Sequence, residues 1–132
     1  MTVLDHIGVA VASLERRLAL YRALGLEVAS VEEVSSEKVR VAFLPVEGTS
    51  IELLEPTGPD SPVAAFIAKR GEGLHHLCFR VADIRGAMAQ LKANGFELLT
   101  DEPARGAHGC LVCFVHPRSA GGVLVELSQP GG

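Results

Sequence analysis

Two histidines and two glutamates recur at matching places in this chain. Asp5-His6-Ile7-Gly8-Val9-Ala10-Val11 returns as His75-His76-Leu77-Cys78-Phe79-Arg80-Val81, at an offset of about seventy residues that holds through Gly25 and Gly95 to Ser30 and Thr100. After a small insertion, Gly48-Thr49-Ser50-Ile51-Glu52-Leu53 matches Gly122-Val123-Leu124-Val125-Glu126-Leu127. The chain is therefore a duplicated unit, and each copy carries a histidine near its start and a glutamate near its end. A lone histidine or glutamate on a strand is usually structural or solvated, but the same two types at symmetry-equivalent positions read as a metal site. Mixed imidazole and carboxylate donors suit manganese, cobalt, nickel, iron or zinc with open positions better than a closed thiolate zinc site.

The elements that position these residues follow from periodicity. Residues 3–11 alternate, with Val3, Ile7, Val9 and Val11 on one side and His6, Gly8 and Ala10 on the other, which is strand spacing. Ser13 caps a following helix whose Leu14, Leu18, Tyr21 and Leu24 share a side, and Gly25 supplies a left-handed stop. Strands are expected around 26–34, 38–46 and 49–55, broken at Ser35-Ser36 and Glu47-Gly48, which gives a βαβββ unit. The second copy repeats the plan. Leu77, Phe79 and Val81 alternate with His76, Cys78 and Arg80; Asp83 caps a helix bearing Ile84, Ala87, Met88 and Leu91; Gly95 ends it; strands follow around 96–100, 110–116 and 123–128. Ser61-Pro62 starts a connector helix that Gly71 closes. The expected architecture is α+β, a single domain over 1–132 with repeat one at about 3–56, the connector at 61–70 and repeat two at about 74–130.

Alternation then sorts the polar residues. If Ile7, Val9, Leu77 and Phe79 pack on the helices, His6 and His76 project from the opposite face, and His75 does not join them. In the terminal strands Ile51, Leu53, Val123, Val125 and Leu127 take the helix side, which leaves Glu52 and Glu126 pointing with the histidines and turns Glu55 away. A carboxylate set among Ile, Leu and Val is costly to bury without a partner, and a bound cation would supply one. Cys110 and Cys113 spell a CxxC, but three residues apart on a strand they face opposite ways. With Cys78 they are expected to be buried, reduced thiols rather than a disulfide, redox or zinc motif.

Composition narrows the classes. The 132 residues are 48% hydrophobic, enough for one core, and a net charge of -4 gives no basic footprint for nucleic acid or an anionic membrane. No apolar run reaches the roughly 18 residues of a membrane-spanning helix, and the start does not read as a secretory signal, so a cytoplasmic protein is expected.

With Asp-His-Ile-Gly-Val-Ala-Val, Gly-Leu-His-His-Leu-Cys-Phe-Arg-Val and Gly-Gly-Val-Leu-Val-Glu-Leu in hand, the chain resembles the vicinal oxygen chelate superfamily. In that fold paired βαβββ units form a U-shaped, partly open eight-stranded sheet around a metal cleft. Residues 51–67, 71–81, 104–109 and 116–127 are most similar to the methylmalonyl-CoA epimerase family. The resemblance implies that His6, Glu52, His76 and Glu126 ligate one divalent metal per chain, and that a thioester oxygen and a free carboxylate of an acyl-CoA substrate bind there together. It also implies a homodimer.

The residue types fit that chemistry. Removing a proton from a carbon between a thioester and a carboxylate develops charge on the thioester oxygen, which a Lewis acid stabilises, and a positioned base must accept the proton. Glu126 is the first candidate for that base. Some epimerases of the family carry a second glutamate where this chain has Val41, which leaves three readings: relatives with this apolar residue use a different partner, or Glu52, Glu37, His108 or a metal-bound water fills the role, or the chemistry differs. Lys38, Arg40, Arg105 and Arg118 are candidates for the coenzyme A phosphates, and His108 and His116 for polar groups of the cleft. Two other functions use the same fold: a glyoxalase-type isomerase acting on a glutathione hemithioacetal, and a small-molecule-binding protein without catalysis.

Overall fold

The computed structural model describes residues 2–131, with the side chain of Ala107 excepted; the outermost residue at each end of the expected 1–132 domain lies outside this range. The fold is α+β, and the described residues divide into two compact units, His6–His75 and residues 76–131 together with residues 2–5. Each unit has the βαβββ plan. No helix among the described residues is long and apolar enough to cross a membrane.

The N-terminal unit holds β1 (Val3–Ala10) from His6 onward, α1 (Leu14–Ala23), β2 (Ser30–Val34), β3 (Val39–Val46), β4 (Thr49–Pro56) and α2 (Pro62–Arg70), with the strands ordered β2-β3-β4-β1. β1 and β4 are parallel, with Gly8 level with Glu52, so the chain between them must cross over, and α1 makes part of that crossing. Leu14 and Leu18 of α1 pack on Val11, Ala42, Leu44 and Leu53, with Val9 and Ile51 alongside, which is the helix face alternation predicts. The opposite face is covered in part by α2. Its Val63, Phe66 and Ile67 pack on Ala10, Val39, Val41 and Leu54.

The C-terminal unit contains β5 (Gly73–Arg80), α3 (Ile84–Ala93), β6 (Ala104–Arg105), β7 (Leu111–Val115) and β8 (Leu124–Gln129), with the strands ordered β5-β8-β7-β6. β5 and β8 are again parallel, with Cys78 level with Glu126. Ile84 and Met88 pack on Phe79, Val81, Cys113 and Leu127.

The helix ends repeat in detail. Ser13 and Asp83 cap α1 and α3, each accepting from the backbone N–H three residues on. Gly25 and Gly95, at φ 89° and 86°, take the left-handed conformation that ends each helix cheaply. A further pair was not legible. Glu55 accepts from the backbone N–H of Leu14 at 2.8 Å, and Gln129 accepts from that of Ile84 at 2.8 Å, so the last strand of each unit satisfies an orphan donor at its helix start. That is the work of Glu55, on the helix side of β4, and Arg40 anchors its other oxygen at 3.0 Å.

Four expectations need correction. The strand expected at 26–34 is regular only from Ser30, and the one expected at 96–100 is reduced to a single bridge between Leu98 and Val115. Gly25 and Gly95 terminate the helices so close to these segments that the chain must first redirect before it can pair. Leu24 is the cap residue of α1 and 67% exposed, not part of its apolar side. Val123 precedes β8 and is 44% exposed, because Gly121 and Gly122, at φ 67° and 90°, are still turning the chain there.

Glu72, between α2 and β5, ties the connector to the start of α1. It accepts from both Nε and Nη2 of Arg17, at 2.9 and 2.6 Å, and from the backbone N–H of Ala12 at 3.0 Å. The Arg17 guanidinium, then the Ala12 amide, hold its carboxyl down from 4.5 to about 2. A carboxyl depressed in the folded state stabilises above its unfolded pKa, and that contribution disappears as pH falls toward 2. Glu72→Gln should therefore lower the melting temperature at pH 7 by about 2–4 °C, the pair being solvent-exposed, and by nothing near pH 2. Melting curves of both proteins between pH 2 and 7 check this; a constant gap across that range would contradict it.

Candidate metal and acyl-thioester site

His6 lies on β1 and Glu52 on β4, and parallel pairing sets them side by side on the face opposite α1. His6 Nδ1 is 3.0 Å from Glu52 Oε2. In the C-terminal unit His76 on β5 and Glu126 on β8 stand in the same relation, with His76 Nε2 3.6 Å from Glu126 Oε1. The four side chains are exposed to nearly the same small degree, 12% and 16% in the first pair and 11% and 15% in the second. The donor set passes a test of fit to a divalent cation. Ligand atoms about 2.0–2.2 Å from a metal lie about 2.8–3.6 Å apart when they are neighbours in an octahedron or tetrahedron, a range that takes in the spacing within each pair.

His75 goes elsewhere. Its ring meets the edge of Phe66 on α2, with centroids 4.9 Å apart, as expected for a residue one step out of phase with His76. Val41 is buried at 5% in the core beneath α2, so no proton-transfer group occupies that place. Glu37 is exposed in the turn between β2 and β3, and His108 is exposed in the turn between β6 and β7, where it adopts φ 58°.

Several candidates have structural employment. His116 caps the short 3-10 turn Pro117–Ala120, its Nδ1 accepting from the Arg118 N–H at 3.0 Å, so one ring nitrogen serves the backbone. Lys38 pairs with Asp60, Arg40 with Glu55, and Arg118 with both oxygens of Glu97. Arg105 is exposed on the two-residue strand β6 and has no ion-pair partner among the described residues. Spacing could not reveal these pairings, because their partners lie between 15 and 22 residues away on other elements.

Comparisons with known proteins agree with one another. The profile of the glyoxalase/bleomycin resistance protein/dioxygenase superfamily matches residues 5–114. The mitochondrial methylmalonyl-CoA epimerase of Mus musculus is 43% identical over 96% of this chain and 72% of its own length. The ethylmalonyl-CoA/methylmalonyl-CoA epimerase of Cereibacter sphaeroides is 43% identical over 96% of both chains. A solved methylmalonyl-CoA epimerase in complex with methylmalonyl-CoA and NH4+ superposes with a TM-score of 0.87 at 39% identity, over 98% of this chain and 95% of that one.

The three cysteines are free thiols, Cys78 and Cys113 buried and Cys110 only half-buried just before β7. Cys113 faces α3, where burial, and secondarily the charge of Glu126, push its thiol up. Since the thiolate is the nucleophile, brief alkylation of the native protein should label Cys110 well before the other two. Peptide mass mapping over a time course checks the order; Cys113 reacting first would refute it.

Proposed function

This chain belongs to the methylmalonyl-CoA epimerases of the glyoxalase/bleomycin resistance protein/dioxygenase superfamily, and on that footing we propose that it inverts the α-carbon of methylmalonyl-CoA with the help of one divalent cation. The observation that supports this most directly is the repeated juxtaposition of imidazole and carboxylate, at 3.0 Å in one unit and 3.6 Å in the other. His6, Glu52, His76 and Glu126 would hold the cation, with cobalt, manganese, nickel, zinc and iron all compatible with such donors. A bound cation supplies Lewis acidity for the charge that develops on a thioester oxygen.

The protein's own residues do the rest. Glu126 accepts the α-proton: a carboxylate 15% exposed remains reachable by substrate, and a carboxylate within hydrogen-bond reach of the α-carbon can act as a general base. Glu126 keeps that proton, a different group delivers one to the other face of the flattened carbon, and the centre inverts. Val41 is too deeply buried and too inert to share in this, so the second transfer belongs to another group. The reading extends to a homodimer, as the family resemblance implies, and to a cytoplasmic location.

His76→Ala should weaken binding of Co²⁺ or Mn²⁺ by roughly a hundredfold or more, whereas His75→Ala should leave it within about threefold. Titration calorimetry on both variants checks the assignment; equal losses would count against it, and a selective loss at His75 would reverse the register. The reaction itself is tested by exchange of the α-proton of methylmalonyl-CoA in heavy water, with and without chelator. Glu126→Gln, loaded with metal, should exchange about 10²–10⁴-fold more slowly because an amide is too weak a base. Exchange at the wild-type rate at full occupancy would leave Glu126 as a ligand only.

A further inference from the structure

Each site glutamate has a phenylalanine directly across from it on the neighbouring antiparallel strand. Phe43 of β3 is level with Glu52, and Phe114 of β7 is level with Glu126. The backbone shows which kind of pair these are. The Phe43 carbonyl accepts from the Ala29 N–H at 2.8 Å and the Phe114 carbonyl from the Leu99 N–H at 2.9 Å, both on the side away from the glutamate strand. Residues that turn their backbone groups away from each other form the close, non-hydrogen-bonded kind of antiparallel pair, with Cα atoms about 4.5 Å apart and side chains nearest. Both phenylalanines thus share a face with their glutamates at the shortest spacing a sheet allows. Ala29 and Leu99 match in the repeat, so the two arrangements are copies, although no strand motif in the sequence announces them.

The two rings differ in what else they touch. Phe43 packs onto the core beneath α2. Phe114 is half-buried and points away from α3, whose core takes the alternating Leu111 and Cys113 instead. We propose that Phe114 is a specificity-determining residue whose ring limits the bulk of the substituent on the substrate's α-carbon. This rests on the epimerase reading and on Glu126 as proton acceptor. An acceptor oxygen must come within about 3 Å of the proton it removes. The substituent on that carbon is one bond further, so it falls within reach of a ring whose strand position adjoins the glutamate. The methyl group of methylmalonyl-CoA fills an apolar contact of that size, and longer chains collide with the ring.

The test compares α-proton exchange of methylmalonyl-CoA, ethylmalonyl-CoA and propylmalonyl-CoA by wild type, Phe114→Leu, Phe114→Ala and Phe43→Ala. Phe114→Ala should raise the kcat/KM ratio of propylmalonyl-CoA to methylmalonyl-CoA by about tenfold or more, the scale of one or two methylenes in an apolar pocket. Phe114→Leu keeps an apolar side chain of similar reach in the sheet, and it should shift the ratio in the same direction by a smaller factor even if the alanine variant folds poorly. Phe43→Ala should change it by less than about threefold. An unchanged ratio in both Phe114 variants, or an equal shift at Phe43, overturns the proposal while leaving the epimerase reading intact. Wild type that exchanges none of the three thioesters overturns both.

Discussion

The parallel pairing of the first and last strands of each unit is the constraint on which the rest depends. It alone brings a histidine near the beginning of a repeat beside a glutamate near its end, across more than forty residues of chain. A parallel pair cannot be closed by a tight turn, so a long crossover is obligatory, and α1 or α3 lies within it. That helix needs an apolar bed, which fixes the parity of every strand beneath it. Once Leu53 and Leu127 are committed to the helix, Glu52 and Glu126 have no choice of face.

The same pairing shapes the helix starts. Because the last strand runs alongside the first, its end arrives where the helix begins, and Glu55 or Gln129 meets the free N–H of Leu14 or Ile84. Two polar residues three positions apart on one strand therefore have opposite duties. Glu52 faces the site, while Glu55 satisfies backbone on the other side of the sheet. The second unit does the latter with a neutral amide, so hydrogen bonding rather than charge is the common requirement. Arg40, which an acyl-CoA could have claimed, is instead engaged with the charge that Glu55 introduces.

What the sequence made legible is what alternation and duplication encode. His6 and Glu52 could be assigned one face, Ser13 and Asp83 could be named as caps, and the connector helix could be bounded by Ser61 and Gly71, because each rests on a local rule with a period or a fixed offset. Strand extent was less legible. Leu26 and Phe96 look like strand starts by hydrophobicity, yet the left-handed glycines just before them dictate a change of direction first. The ion pairs of Lys38, Arg118 and Glu72 were beyond reach, since long side chains select partners by proximity in the fold and leave no period in the sequence.

Duplication also sets limits on how alike the two halves can be. The offset between copies is 70 at the histidines, 71 at the phenylalanines and 74 at the glutamates, so insertions have accumulated in the turns while the paired positions stayed in register. Strand registers resist such change because a one-residue slip would send every side chain to the wrong face. Turns do not carry that penalty. In the first unit Val41 and Phe43 beside Glu52 pack on the core beneath α2, whereas Phe114 beside Glu126, half-buried like Phe43, does not join the core beneath α3. The two carboxylates therefore share one backbone setting and one degree of exposure, while the phenylalanines across from them make different contacts.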